Sequence, residues 1–216
     1  MRKLQRVVAP ECLKKLEREK HTWDQVTTDN KNAIWEKLEL MQGKRCAYCE
    51  SPIDKGSRHI EHFRQRSDAP KLTFFWENLF GSCSRTDCCG KYKDVKARPY
   101  DPKDLIKPDE EDPEDFFIFS ANGSVSPRAD PHKEKEKWHR AMETIRIFNL
   151  NGPLQGIRHA AVRGYVTTFD ALVNEVTPKE LNEWILSEVS NTVNGPFVTA
   201  IRHVLTNTVG TSDSTD

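Results

Sequence analysis

No apolar run in this 216-residue chain approaches the roughly 20 residues that a membrane-spanning helix needs. The N-terminal Met1-Arg2-Lys3-Leu4-Gln5-Arg6 is basic, but no apolar signal core follows it, which argues against export and for a cytoplasmic location. Net charge is also lacking, since 33 Lys and Arg offset 33 Asp and Glu. There are no internal repeats, and no low-complexity tract apart from the polar tail. With 36% hydrophobic residues and a mean hydropathy of −0.73, the chain is expected to be soluble, with a modest core.

The zero balance hides a local asymmetry. Lys44 to Lys107 holds 14 Lys and Arg against 9 Asp and Glu. Just beyond it, Asp109 to Asp112 and Glu114-Asp115 are all acidic. A basic block can meet a polyanion through phosphate neutralisation, or it can be a solvated surface. Cysteine is unevenly spread too. Five of six fall between Cys46 and Cys89, in Cys-x-x-Cys and Cys-x4-Cys-Cys arrangements. In a reducing compartment such clusters read as metal ligands rather than disulfides. Cys12 stands apart, on an expected helix, as a packing residue.

Five segments are expected. Residues 1–43 form an N-terminal arm and scaffolding helices, one from Pro10 to Lys20 and one carrying Ala33, Ile34, Leu38 and Met41 up to Gly43. Residues 44–98 form the cysteine module, with a strand over Arg58 to Phe63 and a helix at the second cysteine group. Residues 99–131 are proline-rich, and Asn122-Gly123 between two short apolar runs predicts a hairpin. Residues 132–206 read as helices, one opened by the capping box Thr177-Pro-Lys-Glu180. Residues 207–216 read as a disordered tail.

Within the module, Cys46, Cys49, Cys83 and either Cys88 or Cys89 can supply the four thiolates of a structural zinc. Between the two cysteine groups lie groups suited to hydrolysis. A histidine can take a proton near neutral pH. A carboxylate can hold a divalent metal with positions left for phosphate and water. Glu61 and His62 are adjacent and on a regular strand point to opposite faces, whereas His59 shares the face of Glu61.

Cys46-Ala-Tyr-Cys-Glu50, His59-Ile-Glu-His-Phe63, Trp76-Glu-Asn-Leu-Phe-Gly-Ser-Cys83 and Ile145-Arg-Ile-Phe-Asn-Leu-Asn151 together resemble the HNH endonucleases of the PtuB type, found in Septu and retron-associated anti-phage systems. The resemblance implies a mainly α fold built around a small ββα-metal finger stapled by zinc, with an added hairpin and a C-terminal helical region. It also implies a metal-dependent endonuclease acting as a toxic defence effector. Carried over by position, His62 matches the general base, Glu61 the acidic metal ligand and Asn78 the brace of the loop. Cys83 and Cys89 match the second knuckle, with Cys88 as the alternative to Cys89, and Lys93 matches the trailing lysine. Gly90 falls where the third motif residue sits and supplies no ligand. His59, Asp87 or Asp94 are candidates to replace it, with His59 favoured as both catalytic residue and metal ligand.

Arg58, Arg64, Arg66, Lys91 and Lys93 are candidates for flanking phosphates. The implied cofactors are structural Zn2+ and a catalytic Mg2+ or Mn2+. The implied partners are a PtuA-type ATPase, a DNA or structured-RNA substrate and, in retron systems, a reverse transcriptase with its msDNA. The alternative is a non-catalytic, zinc-stapled module that binds nucleic acid or protein.

Overall fold

Thr27 starts the first long helix, its hydroxyl accepting the amide of Asn30. Helix α2 then covers Thr28–Gln42 in the computed structural model, which describes residues 1–17, 19–97 and 99–207. Ile34, Leu38 and Met41 are buried along one face, as their spacing predicts. Gly43 stops the helix at φ +69°. The earlier helix, α1, is shorter than expected and covers only Glu11–Lys14. Lys15, Glu17, Glu19 and Lys20 are exposed, so a longer helix would have had almost no apolar face to bury.

Two antiparallel strands follow, β1 over Arg58–His62 and β2 over Leu79–Cys83. Their register pairs Arg58 with Cys83 and His62 with Leu79, without a bulge. Every residue of β2 is buried. Gln42 ties α2 to this strand by donating to the Gly81 carbonyl at 2.8 Å and accepting the Gly81 amide at 2.9 Å. A Cβ on Gly81 would lie 2.6 Å from Gln42 Nε2, so the residue must be glycine for the clamp to close. Helix α3, Cys89–Val95, comes next in the chain and packs on β2.

The expected hairpin is present as β3, Phe117–Phe119, and β4, Val125–Pro127. Gly123 takes φ +79° in its turn, and Asn122 Oδ1 accepts the Ser124 amide. Among the described residues four helices follow, α4 (Lys135–Ile147), α5 (Pro153–Leu172), α6 (Pro178–Thr192) and α7 (Val198–Asn207). The Thr177–Glu180 capping box opens α6 as predicted. Helix α7 packs against α5, α6 and β3. The fold is thus mainly helical with two small antiparallel hairpins, and one buried cluster runs through it from Met1 to Leu205. The tail expected at 207–216 lies outside the described residues from 208 onward. Among the described residues no helix is long and apolar enough to cross a membrane.

Candidate active site and metal centre

The turn before β1 is closed by the Glu50 amide donating to the Cys46 carbonyl, and it is tied to β2 by the Ala47 amide on the Gly81 carbonyl. This brings Cys46 and Cys49 to the end of β2, where Cys83 lies. The fourth member is Cys89, the first residue of α3. The thiols of Cys46, Cys49, Cys83 and Cys89 all lie within 4.8 Å of one another and are buried. Cys88 stays outside this group, although its Sγ is 3.9 Å from that of Cys83. The backbone distinguishes the two. Cys89 is left-handed at φ +55°, while Cys88 is extended. The strained conformation of Cys89 is held by its amide donating to the Phe148 carbonyl at 2.9 Å.

Against the cost of burial, hydrogen bonds from Cys49, Cys83 and Cys89 hold the Cys46 thiol well below its ordinary value. Burial, followed by hydrogen bonds with Cys46, Cys49, Cys83 and Cys88, pushes the Cys89 thiol well above its own. Ionising all four thiols would put four negative charges in one small buried space, and a cation among them would be needed to hold them there. The set can therefore hold a metal, and its donor chemistry fits zinc.

The downstream motif Ile145 to Asn151 braces this centre. Phe148 stacks on Tyr48 of the cysteine turn with ring centroids 4.1 Å apart. Asn149 donates to the Asp87 carbonyl at 2.7 Å. Asn151 exchanges two hydrogen bonds with the backbone of Val125, tying the hairpin to the same point.

His59 and Glu61 share one face of β1, as their spacing predicts. His59 Nε2 lies 3.2 Å from Glu61 Oε2. The other carboxylate oxygen faces Lys93 Nζ at 2.8 Å. Glu61 is buried and His59 keeps 24% of its side chain exposed. Against the cost of burial, Lys93 and His59 hold the Glu61 carboxyl below its ordinary value. Lys93 is wholly buried, and in turn donates to the carbonyls of His62 and Phe63 at 3.0 and 3.2 Å and to Asp94 at 2.7 Å. Gly90 passes close beside Glu61 and adds no ligand.

His62 turns to the other side of the strand end. Its Nε2 donates to the Thr73 carbonyl at 3.0 Å, and the Trp23 ring meets it nearly at right angles with centroids 4.4 Å apart. Burial pushes its pKa down to about 4, so the imidazole is neutral at physiological pH. The loop between His62 and β2 is held by Asn78. Its Oδ1 accepts the Arg64 amide at 2.8 Å, and its Nδ2 donates to the carbonyls of Arg64 and Leu72.

The candidate phosphate residues divide. Arg58 is committed to Glu39 and lies over the Trp35 ring at 4.0 Å, and Lys93 is committed to Glu61 and Asp94. Arg64 and Arg66 are exposed and Lys91 is half-buried. Of the candidates to replace the third motif residue, Asp87 is engaged by Arg85 and Asp94 by Lys93 and Gln65. Only His59 reaches Glu61 directly. Sequence reasoning missed Trp23, Thr73 and Gln65, which sit in no motif and meet the site only through folding.

No protein-family model matches the chain. It is 27% identical, over 57% of its length, to a putative HNH endonuclease of retron Vc95 from Vibrio cholerae serotype O1 biovar El Tor. It is 34% identical, over 38% of its length, to the Septu protein PtuB of Bacillus thuringiensis. The matched stretches span 60% and 34% of those two proteins. Both likenesses support the HNH, PtuB-type resemblance carried by the motifs.

Proposed function

Taking the likeness to a retron HNH endonuclease and to a Septu PtuB protein as premise, we propose that this chain is a metal-dependent HNH endonuclease that hydrolyses nucleic-acid phosphodiester bonds in anti-phage defence. The observation that carries this reading is the state of His62. With Nε2–H donating to Thr73 and the ring neutral, Nδ1 is left with its lone pair, as a general base requires.

In this mechanism His62 Nδ1 takes a proton from water, and the resulting hydroxide attacks phosphorus in line. The His59 nitrogen and the Glu61 oxygen, 3.2 Å apart, fit a site that holds Mg2+ or Mn2+ with few protein ligands. When bound, the ion supplies stabilisation of charge on the phosphate and the leaving oxygen. Lys93 keeps Glu61 ionised and oriented. Asn78 holds the loop that supports Thr73. Arg64, Arg66 and Lys91 are the candidates left to hold flanking phosphates. In this reading the four-cysteine centre binds zinc, and β1, β2 and α3 form the ββα-metal finger.

The partner in this reading is a PtuA-type ATPase docked on the C-terminal helices, with a reverse transcriptase and msDNA if the system is a retron. A non-catalytic binding module is the second reading, and it is favoured by Gly90, which leaves Glu61 with one imidazole and one lysine. Cleavage of plasmid DNA and total RNA by the complex reconstituted with the ATPase, wild type beside His62→Ala, separates the two. Nuclease function requires that the wild type cut and the variant not. If the variant cuts as well as the wild type, His62 is not the base.

A further inference from the structure

Trp23 belongs to none of the motifs and lies in a stretch whose expected role was scaffolding, yet it touches His62. Resting on the nuclease reading above, we propose that Trp23 is a positioning residue that clamps the His62 imidazole and so fixes where its free nitrogen points.

The His62 ring has few restraints. Among the described residues the His62 ring makes one hydrogen bond, Nε2 to the Thr73 carbonyl. A ring held at one atom can still pivot about that bond, and a pivot swings the opposite nitrogen through an arc. A second contact is needed to fix the plane, and the Trp23 ring supplies it at 4.4 Å and 83°. Trp23 is also stacked on Phe74, at 6.2 Å and 27°. Phe74 follows Thr73, the residue that holds Nε2. The four residues therefore close a circuit: His62 to the Thr73 carbonyl, along the chain to Phe74, across to Trp23 and back to His62. Movement of the imidazole must move the indole, and movement of the indole must move the segment that anchors the imidazole.

The turn carrying Trp23 is itself held. Thr22 and Gln25 form a reciprocal cap around it. Val26, directly after it, is buried. Asp24 faces Arg66, in the loop after β1, at 3.9 Å. The half-buried Trp23 thus spans the N-terminal segment and the site loop.

The test compares wild type, Trp23→Leu and Trp23→Phe in the reconstituted complex, on supercoiled plasmid DNA and total RNA with Mg2+. NMR spectra of the histidine rings are recorded alongside, with the His62 signals assigned by His62→Gln. Trp23→Leu should lower kcat by about tenfold to a hundredfold and change KM by less than about twofold. Trp23→Phe should recover most of the rate. The His62 ring protons, displaced by the indole ring current in the wild type, should move in Trp23→Leu. If Trp23→Leu does not fold, Phe74→Leu, which removes the ring that Trp23 stacks on, takes its place in the comparison. A kcat within about twofold of wild type, a loss confined to KM, or unmoved His62 signals each overturn the proposal. Failure of the nuclease reading shows up separately. His62→Ala would then cut like wild type, and the catalytic role of Trp23 would fall with it, whatever the ring current shows.

Discussion

A Cβ placed on Gly90 would stand 2.2 Å from Glu61 Oε2. The long carboxylate side chain of Glu61 occupies the room that any side chain at position 90 would need. The two residues are a matched pair, and the carboxylate is held in place by Lys93 and His59. Gly90→Ala should therefore push Glu61 off both partners and cost about 1–3 kcal/mol, read by chemical denaturation. Adding Glu61→Asp shortens the carboxylate, so the double variant should lose less than the sum of the two single ones.

Lys93 and Glu61 are both buried, and each depends on the other's charge. Lys93→Met should cost about 3–5 kcal/mol, because it removes the ammonium from a buried carboxylate and leaves it only the His59 ring. The pH dependence follows from the sign. Glu61 is held below its ordinary value of 4.5, so its stabilisation is full above that pH and fades as the pH falls further. The gap between wild type and Lys93→Met should accordingly narrow on acidification, measured as urea midpoints across that range.

The metal prediction separates two adjacent cysteines. Purified protein should carry a single structural zinc per chain by elemental analysis. Serine at Cys46, Cys49, Cys83 or Cys89 should lower the zinc content and the thermal midpoint, since binding energy at such a site is folding energy. Cys88→Ser should keep the metal, because its thiol lies outside the tetrad.

Arg158 is buried, and among the described residues its hydrogen bonds include no carboxylate. Its guanidinium donates to the carbonyls of Gly123 at 2.8 Å and Leu150 at 2.5 Å, joining the hairpin turn to the turn after α4. Arg158→Met should strand both carbonyls and cost about 3 kcal/mol. Arg158→Lys should recover only part of that, because a single ammonium lacks the planar fork that reaches both.

His203 couples stability to pH in the C-terminal region. The Phe119 amide donates to its Nδ1 at 3.2 Å, so the ring is neutral, with Nε2 facing Glu114. Arg202 also pairs with Glu114. Burial, then the positive charges of Arg128 and Arg202, pushes the His203 pKa down to about 4 from an ordinary 6.5. Between those values the unfolded chain takes up a proton that the folded one refuses. Stability should be intact above 6.5 and fall as the pH drops toward 4. His203→Gln should flatten that slope in thermal unfolding series.

Much of the architecture is local chemistry, and so was legible in the residues. The Thr177–Glu180 box, the Gly43 stop, the Asn122-Gly123 turn and the apolar face of α2 each arise from neighbours within a few positions. The His59–Glu61 pairing followed from strand alternation alone. The short α1 departed from expectation because the residues after it, Leu16 apart, are mostly charged and had almost no apolar face to bury.

The sequence by itself determined which donors exist: six cysteines, the His59-Ile-Glu-His62 run, Asn78 and Lys93. The tertiary structure decided how they are used. Cys89 rather than Cys88 joined the tetrad because the Phe148 carbonyl holds its left-handed backbone. Lys93, a candidate phosphate contact by position, became the counter-charge of Glu61 because α3 packs on β2 and carries the lysine inward. Trp23 met His62 across a long stretch of chain. Contacts of this kind depend on which surfaces packing brings together, and no local pattern of residue types encodes them.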